Sequence, residues 1–293
     1  MIIVSGASGQ LGRRTLEHLL KKVPADQIRA VSRDPGRLAD FQARGVAAAR
    51  GDLNDPSSLP EAYAGGDVLY LISTDDLAPG VRPRQHKAAI DAAKASGIRQ
   101  VVYSSCTDPR PENPYTGAVD HRETEEALAR SGLAWTMLRN NFYAELLLIP
   151  GAYPHGSVLN NWGEGRVAYV TRDDCASVAA AVLLDPERHA NQALEVTGPD
   201  LVGLRELAQM VGEVAGRTVE AHGIDDTAYA AGLKAAGMPD GFARILLTFG
   251  QAVRGGWFGV PTATVLEVTG QPPTTPRAFL EANRDALLGS LGG

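Results

Sequence analysis

The segment Val4-Ser5-Gly6-Ala7-Ser8-Gly9-Gln10-Leu11-Gly12 constrains this chain more than any other stretch. An apolar strand, Ile2–Gly6, ends on the first of three glycines spaced three apart, and an amphipathic helix, Leu11–Val23, opens beside the last. Each glycine has its own task. Gly6 supplies a turn conformation closed to residues with a side chain, Gly9 leaves the backbone open to an approaching pyrophosphate, and Gly12 lets helix and strand pack closely. The helix N-terminus then points its free N–H groups at the anion. Ser8, Gln10 and Leu11 add backbone or side-chain hydrogen bonds around it, although Leu11 also belongs to the buried helix face. A glycine-rich turn alone is a weak motif, but one that joins a strand to a helix at this position predicts nucleotide binding.

The same alternation continues downstream. Strand-like runs at Ile28–Arg33, Val46–Gly51, Asp67–Ser73, Gln100–Cys106 and Trp135–Asn140 are separated by helical patterns such as Arg84–Ser96, where Ala88, Ala89, Ala92 and Ala93 recur at helical spacing. This rhythm predicts an α/β chain: a Rossmann-type doubly wound parallel sheet covered on both faces. After about Pro150 proline, glycine and aromatics cluster in Ile149–Gly156. We therefore expect residues 1–150 to form a dinucleotide-binding domain and residues 151–293 mainly a smaller α+β substrate lobe. Within 165–199, Arg166–Val170, the helical Asp173–Leu184 and Ala193–Thr197 are expected to return to the first domain. Helical patterns in Thr227–Val253 leave the second lobe's topology open, and Gly289–Gly293 reads as a frayed tail.

Two strand ends bear on the ligand. Where a chain that binds NAD places an acid for the ribose hydroxyls, this one has Ser32-Arg33, and a guanidinium there suits a 2′-phosphate, so NADPH is expected before NADH. Asp34 reads instead as a helix cap, with Pro35 at the first helical position. In Gly51-Asp52-Leu53, Asp52 is placed to bond an adenine amino group or to cap the turn before Asn54-Asp55-Pro56.

Charge and composition exclude other classes. The net charge is −6 and no Lys/Arg run exists, which argues against a nucleic-acid partner. No apolar stretch reaches the roughly 18 residues that span a bilayer, and Met1-Ile2-Ile3-Val4 runs into glycines before an export signal forms, so a cytoplasmic protein without membrane insertion is expected. Cys106 and Cys175 show no metal-ligand spacing; no metal is expected, and both read as reduced, with Cys106 a small buried filler rather than a reactive thiol.

The chain resembles the NmrA-like atypical short-chain dehydrogenases, most closely their type 2 NADPH:quinone oxidoreductase and triphenylmethane reductase branch. The resemblance runs nearly end to end. It rests on Ser5–Gly12, His18–Ile28, Gln85–Gly97, His121-Arg122-Glu123-Thr124-Glu125, Leu138-Arg139-Asn140-Asn141-Phe142-Tyr143 and Thr269–Thr274. It implies a cofactor lying across Gly6–Gly12, Arg33, Asp52 and Leu53, with Ser73, Ser104, Ser105 and Asn140 near the nicotinamide and the substrate between the lobes. The branch lacks the Tyr-x-x-x-Lys pair of ordinary short-chain dehydrogenases, and here Tyr115 is followed four residues later by Val119. Without that acid, an acceptor whose product tolerates charge, such as a quinone or a cationic dye, is the expected hydride sink.

His121 and Asn140 are the candidates for catalytic contact. His121, near the start of a helix expected at Val119–Ala129, is read either as a donor facing the pocket or as a surface or capping histidine. Asn140 and Asn141 end a strand, as anchors for a carboxamide or substrate oxygen or as a turn pair. Phe142, Tyr143 and Trp162, with Asn141, make a wall for a flat aromatic substrate or belong to the core. The resemblance also admits a redox sensor that binds dinucleotide without turnover. A sugar-nucleotide epimerase or ordinary alcohol dehydrogenase on the same fold is disfavoured without the Tyr-Lys pair. Apolar helix faces suit a homodimer and a core equally.

Overall fold

The structure, a computed structural model, describes residues 1–292 apart from Leu77, Pro79, Pro150 and Gly151, so the boundary expected near Pro150 falls outside the described residues. Strand β1 (Ile2–Ser5) leads through the glycine turn into α1 (Gln10–Leu20). The alternation continues with β2 (Ile28–Ser32), α2 (Ala39–Gln42), β3 (Ala47–Arg50), α3 (Leu59–Tyr63), β4 (Val68–Leu71) and α4 (Val81–Ala95). It closes with β5 (Gln100–Cys106), α5 (Thr116–Ala129) and β6 (Ala134–Asn140). These elements lie where the hydrophobic periodicity puts them, with modest shifts at their ends.

Later elements are β7 (Val158–Asn160), β8 (Arg166–Val167), α6 (Arg172–Leu184) and β9 (Gln192–Val196). The parallel sheet has the order β3-β2-β1-β4-β5-β6-β9. Strands in such a sheet are buried on both faces, which is why they read as continuous apolar runs. In β1, Ile3 points to the face packed by Leu59, Tyr63, Ala89, Ile90 and Leu128. Its neighbour Val4 points to the opposite face, packed by Leu16 and Leu19 of α1 and Ala176 and Ala179 of α6. This period of two fixes the register, because a one-residue slip would exchange the faces.

Two expectations need correction. Ala193–Thr197 enters the sheet as β9, but of Arg166–Val170 only β8 is a strand, and it pairs antiparallel with β10 (Val202–Gly203) in a separate ladder. Val170 is diverted beyond the end of β6, where its N–H donates to Phe142 O (3.1 Å) and its carbonyl accepts from Ala144 N (2.9 Å). The remaining chain forms α7 (Leu204–Ala215), β11 (Ala221–Gly223), α8 (Asp226–Ala235), α9 (Asp240–Arg254), α10 (Thr264–Thr269), α11 (Pro276–Ala282) and α12 (Arg284–Leu291). The expected frayed tail is instead largely the last turn of α12. Leu287 and Leu291 are buried in a core with Leu207, Val211, Phe249 and Leu280, and Arg217 Nη2 donates to Leu291 O at 2.8 Å.

At the carboxyl edge of the sheet, Arg139 of β6 clasps Glu125 of α5 through two bonds (2.7 and 3.0 Å) and reaches Glu195 of β9 at 3.3 Å. Glu125 is nearly buried and also accepts from Ser105 Oγ at 2.6 Å. Arg139→Met should therefore leave a buried carboxylate without its cation and cost about 3 kcal/mol of stability. A urea-unfolding midpoint equal to that of the unaltered protein would show that this pairing is dispensable.

Candidate active site

The glycine turn has the predicted geometry. Gly6 has φ +77°, in the left-handed region. A Cβ on Gly12 would lie 2.5 Å from Gly6 O and 2.7 Å from Ala7 Cα, so the close approach there is to the turn itself. Gly9 differs: a Cβ on it would meet only Gly6 O, at 3.3 Å, leaving its outer side open. Ala7 N donates to Val31 O and Gly9 N to Gly6 O, both at 3.0 Å, so the turn is tied to β2. Helix α1 has neither a side-chain cap nor an acidic residue in its first turn. Its leading N–H groups are thus left for an anion.

From this turn a cleft of about 800 Å³ runs along the carboxyl ends of the strands. Every residue expected to hold the cofactor borders it: Gly6, Ser8, Gly9, Gln10, Leu11 and Gly12 at the turn, then Arg33, Asp52 and Leu53, and Ser73, Ser104, Ser105 and Asn140 at the far end. Arg33 is exposed on the cleft wall without an ion pair among the described residues, and so is Arg37, which the sequence reading missed. Asp34 Oδ1 accepts from Gly36 N at 3.0 Å, the expected cap. That short capped turn brings Arg37 back to the same wall, and a basic residue four beyond Arg33 was the available signal. Asp52 Oδ1 accepts from Asn54 N at 2.9 Å, so one carboxylate oxygen serves the turn while Oδ2 takes no protein partner among the described residues.

The far end of the cleft is more constrained. Ser104 Oγ accepts from Ser73 N (2.8 Å), and Ser105 gives its hydroxyl proton to Glu125, so toward a ligand Ser105 can only accept. Asn140 Nδ2 donates to Tyr143 Oη at 3.2 Å. Asn140 Oδ1 and Ser73 Oγ are buried without a partner among the described residues, a cost of about 1–3 kcal/mol each unless a ligand supplies the bond. Cys106 also borders the cleft, and burial together with Glu125 and Glu195 pushes its thiol far up, which keeps it protonated. Among the described residues no cluster of three or more His, Cys, Asp or Glu is placed to hold a metal, and no helix is long and apolar enough to cross a membrane.

A second cavity, about 950 Å³, opens toward α8 and α9 and shares Asp75, Tyr115, His121, Phe142 and Leu146 with the first. Its walls are aromatic. Phe142 stacks on Phe249 (centroids 3.7 Å apart, 17° between planes), and Trp162 meets Phe249 edge-on at 5.9 Å. The expected wall therefore splits: Phe142 faces both cavities, Tyr143 and Asn141 only the first, and Trp162 only the second. Asn141 spends its amide on the chain, donating to Phe258 O (3.1 Å) and accepting from Phe142 N (2.7 Å). Tyr143 lies under the Arg172 guanidinium, 4.4 Å from its ring centroid. Phe249, Phe258 and Arg172 were missed, because they reach the site from distant segments and carry no local pattern.

His121 lies in the second turn of α5, not at the helix start. Tyr103 Oη is 2.8 Å from its Nδ1, and burial with the nearby Arg82 charge holds its pKa well below the ordinary histidine value. It is a half-buried imidazole at the junction of the cavities, in surroundings that favour its neutral form, rather than a cap at the helix end. Tyr115, also at the junction, packs edge-on against Phe258 (5.5 Å), and burial raises its hydroxyl pKa.

A family model described as NAD(P)H-binding matches residues 6–186. The chain is 36% identical to quinone oxidoreductase 2 of Escherichia coli strain K12, over 94% of this chain and 96% of that one. Among solved structures, a quinone oxidoreductase from Escherichia coli complexed with NADPH superimposes with a TM-score of 0.91, at 34% identity, covering 97% of this chain and 100% of that one. The Citrobacter sp. triphenylmethane reductase complexed with NADP(H) gives 0.89 at 30% identity, covering 96% and 99%.

Proposed function

Because this chain belongs to the NAD(P)H-binding family, among its NmrA-like oxidoreductases, we propose that it uses NADPH in preference to NADH to reduce a quinone or similar electron-poor aromatic acceptor. The observation that carries this reading is the meeting of the two cavities. A polar cleft floored by a phosphate-type turn runs into an aromatic chamber across Tyr115, His121 and Phe142. A reductase needs both spaces; a dinucleotide sensor needs only the first.

In this reading the glycine turn and the α1 N-terminus hold the pyrophosphate, while Arg33 and Arg37 take the 2′-phosphate. Asn140 Oδ1 and Ser73 Oγ, which have no partner among the described residues, receive the polar group of the nicotinamide. The cofactor supplies the hydride. The chain's part is to hold the acceptor's ring against it between Phe142 and the neighbouring aromatics, and to exclude water. Near the reacting centre His121 offers a hydrogen bond to an acceptor oxygen. Tyr115, with no lysine four residues on and its hydroxyl pKa raised, is a poor proton donor. Residence in the cytoplasm, with its pool of NADPH, is part of the same proposal.

Purified protein should oxidise NADPH steadily when given a panel of quinones and a triphenylmethane dye, and do so faster than NADH. Tight NADPH binding without turnover on any acceptor would transfer the argument to the sensor role.

A further inference from the structure

His121 is one end of a buried hydrogen-bonded chain whose proton positions can be worked out. Thr74 N donates to His86 Nε2 at 3.1 Å. A backbone N–H can only donate, so His86 Nε2 is bare and its proton sits on Nδ1. That Nδ1 lies 2.9 Å from Thr124 Oγ1, whose own proton goes to Asp120 O at 2.8 Å. Tyr103 Oη is also near His86 Nδ1, at 3.4 Å, but a protonated nitrogen accepts nothing. The shortest contact of the Tyr103 hydroxyl, kept protonated by full burial, is His121 Nδ1 at 2.8 Å, and we take it to donate there. In that arrangement the His121 proton is on Nε2, which has no partner among the described residues and is not sealed from solvent. It opens where the two cavities meet.

We infer that Tyr103, itself oriented beside His86, is a positioning residue that locks His121 as the Nε2–H tautomer, a neutral donor directed at an acceptor's carbonyl oxygen. This inference rests on the reductase reading. A quinone that accepts a hydride, with both electrons of the broken C–H bond, gathers the displaced electron pair on oxygen, and the resulting monoanion takes one proton from water. The fixed N–H stabilises that developing charge while the imidazole keeps its proton. A cationic triphenylmethane carbon accepts the same hydride to give a neutral product with no charged oxygen. The relay should therefore serve quinones and not such dyes.

The test combines a spectrum with a ratio. In protein labelled with ¹⁵N-histidine, with the His121 signal identified by its loss in His121→Asn, the unliganded protein should show His121 as neutral Nε2–H. Tyr103→Phe should mix the two neutral tautomers. An NADPH affinity in the range of the unaltered protein marks the variant as folded. In steady state, Tyr103→Phe should lower kcat with a benzoquinone about tenfold or more relative to kcat with the dye, with KM little changed; loss of one oriented donor typically costs about 100-fold or more. A charged or Nδ1–H imidazole in the unaltered protein overturns the inference whatever the variant does. So does an unchanged tautomer in Tyr103→Phe, or an equal loss with quinone and dye, which would mark a merely structural tyrosine. Absence of turnover by the unaltered protein with any acceptor overturns the reductase reading and the relay's role with it, whereas turnover with an unaltered tautomer in the variant removes the relay alone.

Discussion

Gly12→Ala should lower affinity for NADPH and NADH alike by about 100-fold or more. The added Cβ would sit 2.5 Å from Gly6 O and 2.7 Å from Ala7 Cα. Both are backbone atoms, so no side-chain rotation relieves the clash, and the start of α1 must move away from the turn. A displacement of roughly 1 Å is enough to cost about two orders of magnitude where groups are held in register. The overpacking should also lower stability by about 1–3 kcal/mol. Gly9→Ala separates the two effects, since its Cβ would meet only Gly6 O, at 3.3 Å, and otherwise points outward. It should keep the fold's stability and still lose affinity, because the methyl occupies the path of the phosphates. Calorimetric titration with each nucleotide, beside thermal unfolding, reads both quantities. Undiminished binding by Gly12→Ala would mean that the turn is not the phosphate site.

The second large effect concerns the choice between nucleotides. Replacing Arg33 and Arg37 together with alanine should weaken NADPH by about 100-fold or more and leave NADH nearly unchanged. A hydrogen bond to a charged group is worth about 1.5–3 kcal/mol, and both guanidiniums stand on the cleft wall with no carboxylate among the described residues to engage them. The double replacement should not disturb the turn, because Asp34 and the Ser8–Ser32 hydroxyl contact (2.9 Å) hold this loop independently. The effect on NADPH should shrink as salt is raised, since exposed charges are screened. Parallel losses for both nucleotides would assign the arginines to general electrostatics and not to a 2′-phosphate.

The sheet and the first half of the site were legible in the sequence because their signals are local. A strand buried on both faces must be a short apolar run, and a turn that cradles an anion must carry glycine where φ is positive or where a Cβ would strike backbone, as Gly6 and Gly12 do. Arg33, Asp52, Ser73, Ser104 and Asn140 could be placed on the cleft from the sequence for the same reason: each lies within two residues of a strand's carboxyl end, and those ends converge on one edge of a parallel sheet. What lies beyond those ends depends on packing between distant segments. Phe249 reaches Phe142 across more than a hundred residues, and Leu291 becomes core because α12 folds back on α7. Arg166–Val170 looked like a sheet strand because its apolar pattern could not reveal that Val170 is claimed by Phe142 and Ala144. The amino-acid order thus determined where the backbone turns and which edge of the sheet receives a dinucleotide. Only the tertiary structure decided that His121 meets Tyr103 at the junction of two cavities, and that the tyrosine is in turn surrounded by residues from other segments, because these contacts join stretches that no spacing in the chain brings together.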